Sequence, residues 1–350
     1  MKVGIAVIDT FTVAGHLCVD LAPELPAELE LTPGALQNIG PMRMVVGGSV
    51  ANTGKVLHSL GAKVTANAVV GKDELGTITK KLLSDVGIGV ESIIETSETT
   101  SSYSVVVEPK GIDRTFWHHV GANSLFNASH IDTSSKIVHL GYLPLLPATF
   151  ENGGAGLRQI IRKVKDAGSA LSIDLAVVDA NSAAGEVDWE SVFYENAPDI
   201  DILTPSIDDL KSAFQITEDY SRESLEMHAA RLIDWGVGIV AISAGEHGMI
   251  VKTSNENRLQ NSALSQILNV EDWADITHFQ KTLVAGTPVS TNGAGDASTA
   301  GFLFALGRSA NPIQAATAAA AASATVISGS KATVAELTKI APELSNLLGS

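Results

Sequence analysis

Cysteine is nearly absent: Cys18 is the only one in 350 residues. No internal disulfide can form, and a reducing compartment fits the chain. Cations are scarce as well, with 23 Lys plus Arg against 39 Asp plus Glu and a formal net charge of −16. Nucleic acid and anionic membranes both bind through clustered positive charge, so neither is expected as a main partner. A nucleotide is not excluded, because it needs a local site and no basic face. Apolar runs of about 18 residues are missing too; the alanine-rich 315–327 is too weakly apolar to span a bilayer. Asp9 interrupts the apolar N-terminus, and Lys2 is its only Lys or Arg before position 40, so it does not read as a signal peptide. The expectation is a cytoplasmic protein with no membrane partner. Two common nucleotide signatures are also lacking. No Gly-Lys-Ser/Thr follows a glycine at Walker A spacing, and Gly293-x-Gly295 is followed by Ser298 where a dinucleotide fingerprint needs Gly or Ala. His118 and His119 are adjacent, point to opposite faces of a strand, and cannot hold one zinc together.

What is present centres on residues 289–302, Val-Ser-Thr-Asn-Gly-Ala-Gly-Asp-Ala-Ser-Thr-Ala-Gly-Phe. A β-branched run, a glycine pair and a small-residue apolar run predict strand, tight turn and helix start. Amides in a first helical turn lack intrahelical acceptors and share the positive end of the dipole, which makes an anion site. Gly293 and Gly295 let a phosphate approach the backbone closely, and Asp296 stands beside that pocket as a candidate base for an attacking hydroxyl. The chemistry this suggests is phosphoryl transfer. The same residues also read as a plain strand-to-helix turn with an acid at the helix start.

Along the chain, residues 1–22 predict strand, with Val3, Ile5 and Val7 and then Phe11 and Val13 at alternating positions, and 13–20 as a buried strand ending in Asp20. Residues 45–61 repeat the strand, glycines, helix pattern, with Gly47 and Gly48 in the turn, Asn52 in the first helical turn and Gly61 as C-cap. Two short strands at 103–107 and 114–118, joined by Glu108-Pro109-Lys110-Gly111-Ile112-Asp113, predict a hairpin flap. From 136 onward strand and helix alternate: strands at 137–142, 170–175, 200–203, 238–243 and 249–252, and helices at 154–168, from 204 and at 222–236. Helices at 312–327, capped by Asn311, and at 334–348 close the chain. Alternation of this kind predicts an α/β protein with a mostly parallel sheet covered on both faces.

Two motifs and this order of elements resemble the ribokinase-like, or PfkB, sugar kinases. One motif is Gly47-Gly48-Ser49-Val50-Ala51-Asn52-Thr53, with Gly71-Lys72-Asp73-Glu74-Leu75-Gly76 after it; the other is Thr291-Asn292-Gly293-Ala294-Gly295-Asp296. Weaker echoes are Gly15 to Asp20, Gly121-Ala122-Asn123 and Ser243 to Gly248. The resemblance spans roughly 13–330. It implies one three-layer α/β/α domain with a small β-sheet lid, formed by 23–46 and 98–121, and an ATP-dependent kinase acting on a hydroxyl. By that resemblance Asp296 is the general base, and the amides of Gly293, Ala294 and Gly295 stabilise the transferred phosphoryl. Asp20, Gly47, Gly48, Asn52, Arg114 and Asn123 are candidates for the acceptor, and Ser206, Ser243, Gly245, Gly248 and Asn292 for ATP. Ser206-x-x-Asp209 stands where the family often has Asn-x-x-Glu, so Mg²⁺ is expected with Asp209 as the candidate ligand. Ser290 replaces an aspartate common in the family, which leaves a monovalent-cation site open. Ser49 replaces a lysine that many ribokinases carry, leaving Arg43 and Arg114 as the obvious cations for a phosphorylated acceptor. The expected acceptor is therefore an unphosphorylated sugar, with a nucleoside as the alternative, or a non-catalytic sugar- or nucleotide-binding role on the same fold. The resemblance also leaves room for a homodimer through the lid.

Overall fold

Apolar runs bounded by glycine fold into two sheets in this computed structural model, which describes residues 7–29, 32–110 and 114–349. In chain order the strands are β1 (Thr10–Gly15), β2 (Cys18–Pro23), β3 (Met42–Gly47), β4 (Lys63–Gly71), β5 (Ile93–Thr96), β6 (Tyr103–Val107), β7 (Thr115–His119), β8 (Ile137–Gly141), β9 (Ala170–Ile173), β10 (Ile202–Leu203), β11 (Ile239–Ser243), β12 (Met249–Thr253) and β13 (Thr277–Gln280). The main sheet has nine strands in the order β13-β12-β11-β10-β9-β8-β1-β4-β5. All pairings from β5 across to β11 are parallel, and β12 and β13 continue the sheet antiparallel. Parallel strands covered on both faces read as unbroken apolar runs, and β8 and β9 are buried at every residue.

Helices Ala294–Leu306 and Pro312–Ile327 pack in the apolar cluster that takes Val13 of β1; helices Pro147–Asp166 and Arg222–Trp235 pack in the cluster that takes Ala14. Neighbouring residues of one strand thus serve opposite layers, as the twofold strand repeat requires. Gly301 lets the first two helices approach closely, since a Cβ there would lie 2.6 Å from the Ala318 carbonyl oxygen. The second sheet, β3-β2-β6-β7, is the lid. No described helix is long and apolar enough to cross a membrane.

Several local expectations change. The N-terminal strand does not run through to Asp20: Gly15, at φ 116°, breaks it, and Asp20 lies within β2 of the second sheet rather than at the end of a strand of the main parallel sheet. Residues 289–291 form no strand, because the amides of Val289 and Ser290 bond instead to the Ile327 carbonyl at the end of the alanine-rich helix. The helix expected at 154–168 starts at Pro147 and is broken by non-helical backbone from Glu151 to Gly154. The last expected helix is interrupted where Pro342 begins a 3₁₀ turn. The flap hairpin forms as β6 and β7 in antiparallel register; Val3, Ile5 and its turn residues Gly111 to Asp113 lie outside the described residues.

Candidate active site

Asp296 sits in the first turn of helix Ala294–Leu306 and is buried, with 3% of its surface exposed. The Thr53 hydroxyl donates to its Oδ1 at 3.0 Å and the Tyr142 hydroxyl to its Oδ2 at 2.7 Å. Burial pushes its pKa up to about 6, against hydrogen bonds from Tyr142, Thr53 and Asn52 and the Lys55 ammonium, which pull it down. A carboxyl so placed is ionised at neutral pH yet basic enough to accept a proton. Gly293 caps the helix at φ 73°, a conformation glycine adopts without strain, and the positions a Cβ would take at Gly293 and Gly295 are open. The Ala294 amide is taken by the Thr291 carbonyl at 3.2 Å, whereas the amides of Gly293 and Gly295 have no partner among the described residues. Of the three expected anion donors, the two glycines are thus the ones left open.

Opposite the helix start lies a polar wall built from β1, the lid and helix Ser49–Ser59. Gly47 and Gly48 are glycines for steric reasons: a Cβ on Gly47 would lie 2.3 Å from Asp20 Oδ2, and one on Gly48 (φ 87°) would lie 2.6 Å from His16 Nδ1. Burial raises the Asp20 pKa, while hydrogen bonds from Cys18 and Ser104 and the Lys55 charge oppose it. Asn52 and Lys55, three residues apart on one helix face, both reach toward Asp296, and Lys55 is drawn to Asp20 as well. Asn123 is fully buried and clamps the backbone of Leu17, accepting from its N–H at 3.2 Å and donating to its carbonyl at 3.0 Å. Its side chain therefore fixes the β1–β2 corner, using one acceptor and one donor of its carboxamide. Arg114, at the start of β7, reaches across to the Thr291 hydroxyl at 3.4 Å and so ties the lid to the loop before Gly293.

On the other side of Gly295 opens a cavity of about 410 Å³. Ser243, Gly245 and Gly248 line it as expected, and Ala320, Ala324 and Ile327 of the alanine-rich helix form its apolar wall. Asn292 and Ser206 do not line it. Asn292 is exposed with its amide on the Ser290 hydroxyl, and Ser206 caps helix Ile207–Ala213. Asp209 completes that capping box: its Oδ2 accepts from the Ser206 hydroxyl at 2.6 Å and amide at 2.8 Å. Asp209 and the buried Asp174 both have raised pKa values, burial being the main cause; Asp209 and Asp296 raise Asp174 further. No three His, Cys, Asp or Glu side chains among the described residues gather into a cage for a metal. Mg²⁺ does not need one, since it binds through one or two carboxylates, waters and substrate phosphates. A buried Asp174 raised further by the charges of Asp209 and Asp296 fits such an ion.

Sequence reasoning missed Tyr142, Thr53, Lys55 and His16. Tyr142 follows β8 at φ 62°, a strained value for a bulky residue. Its ring stacks on His16 at 5.7 Å, and His16 Nε2 lies 3.3 Å from His118 Nε2 in the lid. Burial keeps both imidazoles neutral, His118 at about 4 and His16 well below its ordinary value. Thr53 adjoins Asn52 and was legible as part of the first motif; the others had no local signal.

The sequence profile described as pfkB family carbohydrate kinase matches residues 11–339. No curated protein matches the sequence significantly. Among solved structures, Arabidopsis thaliana ribokinase complexed with ribose and ATP is similar at TM-score 0.73 and 19% identity, over 96% of this chain and 98% of that one. A fructokinase with bound ATP from Xylella fastidiosa gives 0.71 and 16%, over 97% and 100%. Methanocaldococcus jannaschii nucleoside kinase gives 0.69 and 16%, over 97% and 99%. With its profile match over nearly the whole chain and the ribokinase fold around Asp296, this chain belongs to the pfkB family of carbohydrate kinases, phosphotransferases that act on an alcohol group.

Proposed function

We propose that the protein is an ATP-dependent kinase for a hydroxyl of an unphosphorylated sugar, with Asp296 as general base. The observation that carries this reading is the setting of Asp296: a buried carboxyl, held by Thr53 and Tyr142, at a helix start where Gly295, whose amide is free among the described residues, lines a cavity of about 410 Å³. ATP lies in that cavity with its γ-phosphate against Gly293 and Gly295. The acceptor lies between Asp296, Asp20 and Asn52, under the lid. Its hydroxyl oxygen bonds to the γ-phosphorus, the bond from phosphorus to the bridging oxygen of ADP breaks, and the hydroxyl proton passes to Asp296. Amide donors and the helix dipole stabilise charge on the transferred group. Mg²⁺, held by Asp209, would supply neutralisation of the phosphate charge. Lid closure keeps out water, the competing acceptor. Exposed Met44, Val45, Phe116 and Trp117 on the lid suit such closure, or a homodimer through the lid, and the composition suits the cytoplasm.

The walls around Asp296 favour an uncharged acceptor. Lys55 is matched by Asp20 and Asp296, which leaves that wall net acidic, and Arg114 is turned to Thr291. A nucleoside is the second reading, favoured by Tyr103, whose ring lies 5.3 Å from that of His119 on the lid. A panel of sugars and nucleosides with Mg-ATP, read as ADP release, tests both. Release that depends on a sugar and is lost in Asp296→Asn supports the proposal; release only with nucleosides selects the second reading, and tight binding without turnover refutes both.

A further inference from the structure

Lys55 is the one cation that the structure places between the two acids of the acceptor wall. It follows Asn52 by three residues and Thr53 by two on helix Ser49–Ser59, and both of those side chains hydrogen-bond Asp296. The helix start, at Gly47 and Gly48, is shaped around Asp20 and His16. Lys55 is half-buried and its ammonium makes no ion pair or hydrogen bond among the described residues, although it is attracted by Asp296 and Asp20. An ammonium has three donors and no acceptor, and ionised carboxylates accept only. A hydroxyl both donates and accepts, so it is the group that satisfies the two kinds of wall at once.

We propose that Lys55 belongs to the acceptor site, donating a hydrogen bond to a hydroxyl of a neutral polyol that in turn donates to Asp20, beside the hydroxyl whose proton goes to Asp296. This rests on the kinase reading above and adds its acceptor chemistry: two neighbouring hydroxyls on an uncharged compound. An amine next to the reacting hydroxyl would meet the Lys55 ammonium, and a phosphate would meet two acids. The charged and titratable groups that face Asp296 are Lys55 from helix Ser49–Ser59 and Tyr142 and Asp174 from the ends of β8 and β9; Asp20 faces Lys55 from the lid, and His16 stacks on Tyr142. Only Lys55 among these is a cation, so it also lowers the pH at which Asp296 becomes a competent base.

The test compares Lys55→Met and Lys55→Arg with wild type, using Mg-ATP and an acceptor that the wild type phosphorylates. Lys55→Met should lower kcat/KM for the acceptor about 10- to 100-fold, the range for a charged hydrogen bond. KM for ATP should stay unchanged, and the acidic limb of the pH profile should move up. Lys55→Arg should return the limb toward its wild-type position. On an acceptor lacking the neighbouring hydroxyl, Lys55→Met should lose markedly less. An unchanged acceptor KM with an unmoved limb overturns the proposal, as does an equal loss on both acceptors. If the wild type turns over nothing, the kinase reading fails on its own and calorimetry with ribose and fructose judges Lys55. Binding abolished by Lys55→Met then supports its role; binding that survives, or none by the wild type, overturns it.

Discussion

On the side of Asp296 proposed for the acceptor the walls are side chains with altered protonation: His16 and His118 held neutral, Asp20 raised, and Lys55 lowered by burial. On the nucleotide side they are main chain and small residues, with Gly245, Gly248, Gly295, Ala320 and Ala324 around an open cavity. A surface made of backbone and methyl groups recognises shape and phosphate, and it tolerates many sequences. A wall of buried ionisable groups recognises individual hydroxyls, and it loses function when one group changes. Structures described as ribokinase, fructokinase and nucleoside kinase share this fold.

Substitutions can break this contrast in graded steps. The largest effect is expected at the junction, where Asp296→Asn should lower kcat by about 10²- to 10⁴-fold while KM for ATP barely changes. A comparable rise in KM for ATP would mean that Asp296 serves the nucleotide side. Next, Ala324→Phe should fill part of the cavity and weaken ATP about tenfold or more, near 1.4 kcal/mol. Calorimetry of acceptor binding should be unaffected, and a matching loss there would merge the two sides. Tyr142→Phe removes one donor to the ionised base, a loss of about 1.5 kcal/mol at the lower end for a charged hydrogen bond, so activity should fall about tenfold and the acidic limb should move up. A downward move would show that the phenol does not support the ionised carboxylate.

A separate effect, on stability and not on turnover, tests the same carboxyl. The Asp296 pKa is raised in the fold to about 6, so the folded chain holds a proton that the unfolded chain releases near pH 3.9. Below both values the group costs nothing; stability is lost as pH rises from about 4 through 6, by roughly 3 kcal/mol when complete. Asp296→Asn should therefore raise Tm more at pH 8 than at pH 4. Equal shifts at both pH values would place the carboxyl in a wetter setting than its hydrogen bonds imply.

The sequence displayed the backbone-made parts of this molecule well. Gly293 is glycine because its turn takes a positive φ, which is a local demand, and Gly47 and Gly48 because Asp20 and His16 approach them closely. Parallel β8 and β9 were legible as apolar runs. Tyr142 was not, because its hydroxyl meets Asp296 across 154 residues and its strained backbone has no sequence signature. Lys55 reads as an ordinary helix lysine until β1, the lid and helix Ala294–Leu306 close around it. Asn123 was expected to hold the acceptor, and its carboxamide bonds the backbone of Leu17, 106 residues away, which no local pattern reveals. Val289 to Thr291 has strand composition, but the carbonyl that its amides find belongs to a helix end.

The most direct test of Asp296 as the base is the pH dependence of kcat/KM for the acceptor, measured for wild type and Asp296→Asn. The geometry predicts a wild-type limb that falls below a midpoint of about 6, absent from the residual activity of the variant. A flat wild-type profile from about pH 5 to 8, or an identical limb in both proteins, would contradict it.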